Sequence, residues 1–167
     1  MKRHMVRWFL SAVMMVAFCG AHDVSASASI GQARLVGSAA SDFSLETTAD
    51  SKVALGDLKG KGVILFFFTT WCPYCREKLP FLAKEYNAMR AKKIELLPID
   101  AGESKTKVKA FADKQSLPFP ILLDTDTAVA EAYGVVGVPT FFLISREGKV
   151  VWTGNELPDD YETYLTS

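Results

Sequence analysis

The stretch KGVILFFFTTWCPYCREKL, residues 61–79, decides the fold of this chain. Its apolar run at 63–68 is rich in β-branched and aromatic residues and ends shortly before Cys72. An unbroken apolar run of this composition predicts a strand that is covered on both faces. Pro73 suits the first position of a helix, because its φ angle is already set and its missing N–H group costs no hydrogen bond there. We therefore expect a buried strand that leads into a helix, with Cys72 at the start of that helix.

The residues after Cys72 recur with the period of a helix. One apolar stripe, at steps of four, three, four and three residues, contains Cys75, Leu79, Leu82, Tyr86 and Met89. Cys75 belongs to this stripe and should be buried, whereas Cys72 lies before it and should be the exposed cysteine of the pair. A helix N-terminus presents unpaired N–H groups and a partial positive charge, which favour a thiolate at Cys72. Cys72 is thus the expected nucleophile, and Cys75 the thiol that resolves the mixed disulfide.

Predicted strands and helices alternate along the rest of the chain. The pattern predicts a hairpin at 42–55, strands at 94–100, 121–124, 140–145 and 150–153, and helices at 104–115, at 127–133 and after Pro158. Such alternation indicates an α/β fold in which helices flank a mixed central sheet. The chain has 167 residues, which is enough for one domain with its own core.

The first 28 residues have the features of a secretory signal peptide. Basic residues precede the apolar run Trp8–Gly20, and small residues follow it. The run is shorter than the roughly 20 residues that span a bilayer. We therefore expect cleavage and a periplasmic location, with a membrane anchor that faces the periplasm as the alternative. Residues 29–41 are small and polar, which predicts a linker before a domain at 42–167.

Charge and composition argue against several functions. The chain has 19 basic and 19 acidic residues, so its formal net charge of zero gives no electrostatic support to nucleic-acid binding. Without residues 1–28 it would keep Cys72 and Cys75 and no histidine. Those ligands are too few for an internal zinc or copper site, and a cysteine protease would need a histidine base. We expect no cofactor and no metal held by this chain alone.

Several motifs resemble those of the thioredoxin superfamily. They are WCPYC after a buried strand, Pro80 five residues past Cys75, and GVPT at 137–140 before a strand. The hairpin, the phrase LGDLKGKGVILFFFTTWC at 55–72, GESK at 102–105 and FPILLDTD at 119–126 are similar to periplasmic TlpA/ResA-like thiol–disulfide oxidoreductases. The resemblance covers residues 37–154. It implies a thioredoxin-like fold with an N-terminal hairpin and an inserted helix and strand.

The resemblance also implies roles for individual residues. Cys72 and Cys75 would be the catalytic redox pair. Val138 and Pro139 would form a cis-proline loop that offers its backbone to an extended client segment, and Trp71 and Tyr74 would complete the substrate-binding surface. The implied protein is a monomer that reduces disulfide-containing client proteins, with apocytochrome c as one client. A membrane thiol-transfer protein would supply its electrons.

Three positions depart from the family pattern or add to it. Thioredoxins proper carry a buried Asp where Phe66 stands, and TlpA-like relatives often have Glu where Lys78 stands. We hypothesise that Lys78, one turn beyond Cys75 on the same side, eases the ionisation of the Cys75 thiol. Glu103 follows a predicted strand and could handle a proton of Cys75, although a carboxylate that stabilises a helix dipole is the simpler account.

Two other functions remain open for the same cysteines. TTWC at 69–72 matches part of the peroxiredoxin signature, although Leu65 occupies the place of its proline; turnover of peroxide with a thiol donor would favour this peroxidase. A Cu(I)-binding or delivery module could use the sulfurs of Cys72 and Cys75 together with a partner. Retention of Cu(I) by the reduced form without redox cycling would favour that module.

Overall fold

The computed structural model describes Gln32 and residues 34–166, so the predicted signal peptide at 1–28 lies outside the described residues. The strands are β1 Ser44–Glu46, β2 Lys52–Ala54, β3 Gly62–Phe68, β4 Ile94–Ala101, β5 Leu122–Asp124, β6 Thr140–Ile144 and β7 Val150–Gly154. The α-helices are α1 Pro73–Ala91, α2 Lys105–Gln115, α3 Ala128–Ala132 and α4 Tyr161–Thr166, and a 3-10 helix spans Leu55–Leu58. None of the helices in this part of the chain is long and apolar enough to cross a membrane.

Five strands form a mixed sheet in the order β5-β4-β3-β6-β7. β3 is parallel to β4, and β4 is parallel to β5, whereas β6 is antiparallel to both β3 and β7. β1 and β2 form a separate antiparallel hairpin. The predicted α/β fold, with its mixed sheet, N-terminal hairpin and inserted α2–β5 segment, is confirmed.

The central strand β3 explains the unbroken apolar run in the sequence. Ile64, Phe66 and Phe68 face the α1 side of the sheet together with both cysteines, and Phe66 stacks on Phe141 with 4.5 Å between ring centroids. The alternate residues of β3 pack on the opposite face. Burial of a large apolar side chain contributes about 1.5–3 kcal/mol, so both layers of the domain depend on this strand. Its carboxyl end leads directly into the turn that carries Cys72.

Part of the predicted linker is attached to the domain. The N–H of Gly37 donates to the carbonyl of Val150 at 2.8 Å, and the N–H of Val150 donates to the carbonyl of Ser38 at 3.0 Å. The N–H of Ala40 donates to the carbonyl of Gly148 at 2.9 Å. β7 is an edge strand of the five-stranded sheet, and unpaired backbone groups at an edge are satisfied when another segment covers them. These hydrogen bonds give residues 37–40 a fixed path along the sheet.

Candidate active site

Cys72 is the N-cap residue of α1, as the position of Pro73 predicted. Its backbone is extended, with φ −73° and ψ 116°, and its Sγ accepts the backbone N–H of Cys75 at 3.2 Å. The sulfur thus takes the place that a serine or aspartate oxygen occupies at other helix starts, where it satisfies one of the unpaired N–H groups. The first turn of the helix therefore holds Cys72 and Cys75 next to each other.

The prediction that Cys72 is exposed is wrong. The residue is 4% exposed, and Cys75 is fully buried beneath it. Cys72 packs in the core layer on the α1 side of the sheet, and its Sγ lies 3.7 Å from the carbonyl oxygen of Val138. Cys72 is nevertheless part of the wall of a surface cavity of about 600 Å³, and Cys75 is not. Access to the dithiol therefore runs through this cavity to Cys72.

The thiol of Cys75 is chemically distinct from that of a solvated cysteine. Burial, together with its hydrogen bond with Cys72, raises the pKa of Cys75 to about 12, against a weaker opposing effect from the backbone of Thr69. A buried thiol in apolar surroundings stays protonated at neutral pH. The two cysteines are not joined by a disulfide. The arrangement supports a first attack from Cys72 and a later attack from Cys75.

The cavity beside Cys72 has an apolar lining and an exposed rim. Its walls come from four segments: the CPYC turn with Trp71 before it, the end of β4, α3 with Thr127 before it, and the loop that precedes β6. The lining residues are Trp71, Cys72, Pro73, Tyr74, Ala101, Thr127, Ala130, Glu131, Val135, Val136, Gly137 and Val138. Trp71, Tyr74 and Val136 are 64%, 67% and 72% exposed, respectively. Large apolar side chains exposed together around a cavity are typical of a site that contacts another molecule.

The loop before β6 faces the dithiol. The peptide bond between Val138 and Pro139 is cis. Asn155 holds the loop from β7, because its Nδ2 donates to the carbonyl of Pro139 at 2.7 Å, and Thr140 Oγ1 donates to the carbonyl of Gly137 at 2.7 Å. The structure thus brings Trp71, Cys72, Tyr74 and Val138 to one cavity, whereas Pro139 is not among its lining residues. That these residues bind a substrate, as the resemblance implies, stays a prediction.

Lys78, which the sequence analysis proposed to ease the ionisation of the Cys75 thiol, forms an ion pair in the structure, and its effect on Cys75 stays a prediction. Its Nζ binds the carboxylate of Glu156, in the segment after β7. Burial and the hydrogen bond with Cys72 raise the pKa of Cys75. The helical position of Lys78 was predicted correctly. The pairing with Glu156 was not predicted, because the two residues are 78 positions apart in the chain.

Glu103 binds the turn that carries the dithiol. It is buried, its Oε2 accepts the N–H of Thr70 at 2.5 Å and its Oε1 accepts the Thr70 hydroxyl at 2.9 Å. Lys107 Nζ lies 2.5 Å from Oε1. Burial alone would raise the pKa of Glu103, but hydrogen bonds with Asp100, Lys107 and Thr70 outweigh it and lower the pKa to about 2. A carboxylate with so low a pKa is a poor base, so these contacts favour an anchoring role over proton transfer.

Asp100, at the end of β4, is a candidate site residue that sequence reasoning missed. Its side chain is fully buried, and its Oδ1 accepts the N–H of Glu103 at 3.1 Å. Burial raises the pKa of Asp100 to about 8, and the hydrogen bond and negative charge of Glu103 add to the effect. The available signal was an acidic residue that ends an otherwise apolar predicted strand. Within Gln32 and residues 34–166, no group of three or more His, Cys, Asp or Glu side chains could hold a metal ion.

Comparisons with known proteins place this chain in one family. Residues 36–153 match the family described as AhpC/TSA. The thiol-disulfide oxidoreductase ResA of Bacillus subtilis (strain 168) is 44% identical over 115 residues, which are 69% of this chain and 64% of the relative. ResA of Geobacillus thermodenitrificans (strain NG80-2) is 39% identical over 134 residues, which are 79% of this chain and 77% of the relative.

A solved structure is similar to this chain in fold. The thioredoxin domain of a thiol-disulfide oxidoreductase from Bacteroides vulgatus matches with a TM-score of 0.67 and 29% sequence identity. The match covers 76% of this chain and 91% of that domain. On the family match and the identity to its relatives, this chain belongs to the AhpC/TSA family, in its thioredoxin-like group of ResA-type thiol-disulfide oxidoreductases.

Proposed function

We propose that this protein exchanges its Cys72–Cys75 dithiol with disulfides of client proteins. One observation carries the proposal: Cys72 Sγ lies on a cavity wall and accepts the N–H of Cys75 at 3.2 Å, while Cys75 is fully buried. This difference in access gives the two thiols an order of reaction. The names of the relatives, which are thiol-disulfide oxidoreductases, support the same chemistry.

The exchange takes place in two displacements. The Cys72 thiolate attacks one sulfur of a client disulfide, an S–S bond forms between protein and client, and the other client sulfur leaves with the electron pair. Cys75 then loses its proton and attacks Cys72 Sγ, which forms the Cys72–Cys75 disulfide and releases the second client sulfur. Two electrons and two protons have then passed to the client. Reduction of the Cys72–Cys75 disulfide by an external dithiol completes the cycle.

The cavity provides a surface for the client. Trp71 and Tyr74 are exposed and line the cavity together with Cys72, and the Val138 carbonyl oxygen lies 3.7 Å from the Cys72 sulfur. An extended client segment between them would place its disulfide next to Cys72 and its neighbouring apolar side chains in the cavity. The aromatic rim is suited to large contacts at low entropic cost.

We assign the protein a reducing role in the periplasm. The reducing direction is the one that the resemblance to periplasmic TlpA/ResA-like thiol–disulfide oxidoreductases implies. The basic and apolar residues at 1–28 support export. A reductase in an oxidising compartment needs electrons from a membrane thiol-transfer protein, and apocytochrome c is one client to examine. The protein would act as a monomer.

Trapping in the native host tests this function. A Cys75→Ser variant retains Cys72 but lacks the thiol that resolves the intermediate, so it should hold client proteins as mixed disulfides that a reductant releases. The matched control is Cys72→Ser, which should capture none. If neither variant holds any protein and the wild type turns over peroxide with a thiol donor, the peroxidase function replaces the one proposed here. If the reduced wild type instead retains Cu(I) without redox cycling, the copper module replaces it.

A further inference from the structure

Asp100 and Glu103 form a buried carboxyl pair behind the dithiol. Gly102 has φ 92°, a conformation that favours glycine, and it turns the chain after β4 so that Glu103 returns to Asp100. The pairing of β3 with β4 places Asp100 opposite Phe68, on the sheet face that also carries Cys72 and Cys75. The pair therefore lies at the same end of the sheet as the CPYC turn.

The contacts of the pair favour a proton on Asp100 over a proton on Glu103. Glu103 receives hydrogen bonds from Thr70 and an ion pair from Lys107, which suit an ionised carboxylate. Asp100 Oδ1 accepts one N–H, but its fully buried Oδ2 has no donor among the described residues. A second buried negative charge beside Glu103 would be costly. A proton on Asp100 removes this cost and supplies the donor for the hydrogen bond between the two side chains.

The pair is connected to the dithiol through Thr70. Glu103 holds the N–H and the hydroxyl of Thr70, and Arg76 Nε, from α1, holds its carbonyl at 2.7 Å. The N–H of Cys72 donates to the carbonyl of Thr69 at 3.2 Å within the same turn. The turn at 69–72 is thus fixed from one side by Glu103 and from the other by Arg76.

We infer that Asp100 is a positioning residue for the dithiol: its proton, donated to Glu103, keeps the Glu103 carboxylate in place on the turn at 69–72 and so holds Cys72 within reach of Cys75. The inference depends on the proposed dithiol exchange, and it concerns the second displacement. Asp100 touches neither client nor sulfur in this role. The charged groups that face it are Glu103 on the same loop and Lys107 on α2, with Arg76 on the far side of Thr70.

The pH dependence of the resolving step is the consequence to measure. The pKa of Cys75 is about 12, so its thiolate fraction, and with it the resolving rate, rises tenfold per pH unit in the neutral range. Asp100 loses its proton near pH 8. Above that pH, the turn loses the donor that holds Glu103, and the slope of log rate against pH should decrease.

The experiment follows the reduced protein with 5,5′-dithiobis(2-nitrobenzoate), which releases one thiolate in each displacement. The rate of the second release is recorded from about pH 6 to pH 9 in stopped flow. The wild type should show a break in slope near pH 8. Asp100→Asn keeps a donor at every pH, so it should match the wild type at pH 6 and show no break. Asp100→Leu lacks the donor, and its rate should be about tenfold lower at pH 6, because small misplacements of reacting groups are costly.

Controls separate this inference from the proposed function. Asp113→Asn alters an exposed carboxyl of α2 and should keep the wild-type profile, and circular dichroism checks that each variant is folded. The inference is overturned if the break in slope persists in Asp100→Asn. It is also overturned if the wild type shows no break, or if folded Asp100→Leu resolves the mixed disulfide as fast as the wild type. If Asp100→Leu does not fold, the profile of Asp100→Asn decides. A wild type that never releases the second thiolate contradicts the proposed function instead.

Discussion

Cys72 Sγ caps α1 by accepting the backbone N–H of Cys75, and the side chain of Cys75 lies buried behind it. One turn of helix thus holds two thiols that differ in access to solvent. Since the cavity reaches Cys72 but not Cys75, reagents and clients meet the two sulfurs in a fixed order. This order is the structural basis of the resolving step.

Alkylation should distinguish the two thiols. We expect iodoacetamide at about pH 7 to label the reduced native protein once, at Cys72, because the pKa of Cys75 is raised to about 12 by burial and by Cys72. Peptide mass spectrometry gives the site of labelling. Cys72→Ser is the matched control and should be labelled only after unfolding in guanidinium. Equal labelling of both cysteines in the native protein would contradict the order of reaction.

The aromatic rim should matter for protein clients more than for small disulfides. Trp71 is 64% exposed, so Trp71→Ala should change the free energy of unfolding by less than about 0.5 kcal/mol. It should lower the rate of exchange with a disulfide-containing protein about tenfold, because exposed Trp side chains often dominate interfaces. The rate with 5,5′-dithiobis(2-nitrobenzoate) should stay the same. Phe81→Ala, 49% exposed and outside the cavity beside Cys72, is the control; equal losses in both variants would contradict a rim-specific role.

Much of the fold was predictable because local patterns determine it. The apolar run of β3, the position of Pro73 and the stripe through Cys75 each predicted an element that the structure contains. The burial of Cys72 was not predictable, because the Val138 carbonyl that covers its sulfur is 66 positions away in the chain. Local periodicity carries no information on such a contact.

The carboxyl pair shows the same limit at the candidate site. Glu103 was named as a candidate from its position after a strand, but its partner Thr70 is 33 positions away and comes from a different strand end. Asp100 looked like the ordinary polar end of a strand. Its raised pKa depends on complete burial and on the charge of Glu103, and both arise only when β4 and the turn after β3 come together.

Substitution of Lys78 tests the hypothesis that this lysine eases the ionisation of the Cys75 thiol. Lys78 binds Glu156, whose side chain is largely exposed, and ion pairs of this kind contribute about 0.2–1 kcal/mol. Lys78→Gln should therefore lower stability slightly and leave the resolving rate within about twofold of the wild type. Glu156→Gln is the matched control, since it breaks the same pair and keeps the lysine. A large drop in the resolving rate in Lys78→Gln, but not in Glu156→Gln, would support the hypothesis that Lys78 eases the ionisation of Cys75.

The stability of the reduced protein should depend on pH through Asp100. Burial raises the pKa of Asp100 to about 8 in the folded protein, above its value of about 3.9 in the unfolded chain. The stability that protonated Asp100 contributes is therefore fully present below about pH 3.9. That stability is lost as the pH rises through the folded value. The pKa of Glu103 is lowered to about 2, so the stability that ionised Glu103 contributes is fully present above about pH 4.5. It therefore stays constant between about pH 5 and pH 8, where the contribution of Asp100 changes.

Asp100→Asn cannot ionise and should escape this loss. Its free energy of unfolding, relative to the wild type, should rise between about pH 5 and pH 8 and then level off, because above pH 8 both folded and unfolded wild type carry the ionised aspartate. Urea unfolding at several pH values, with reductant present, measures the difference. Asp113→Asn, at an exposed position, should give a nearly constant difference over the range. A constant difference for Asp100→Asn as well would mean that Asp100 is already ionised at neutral pH. Asp100 would then have no proton to donate to Glu103.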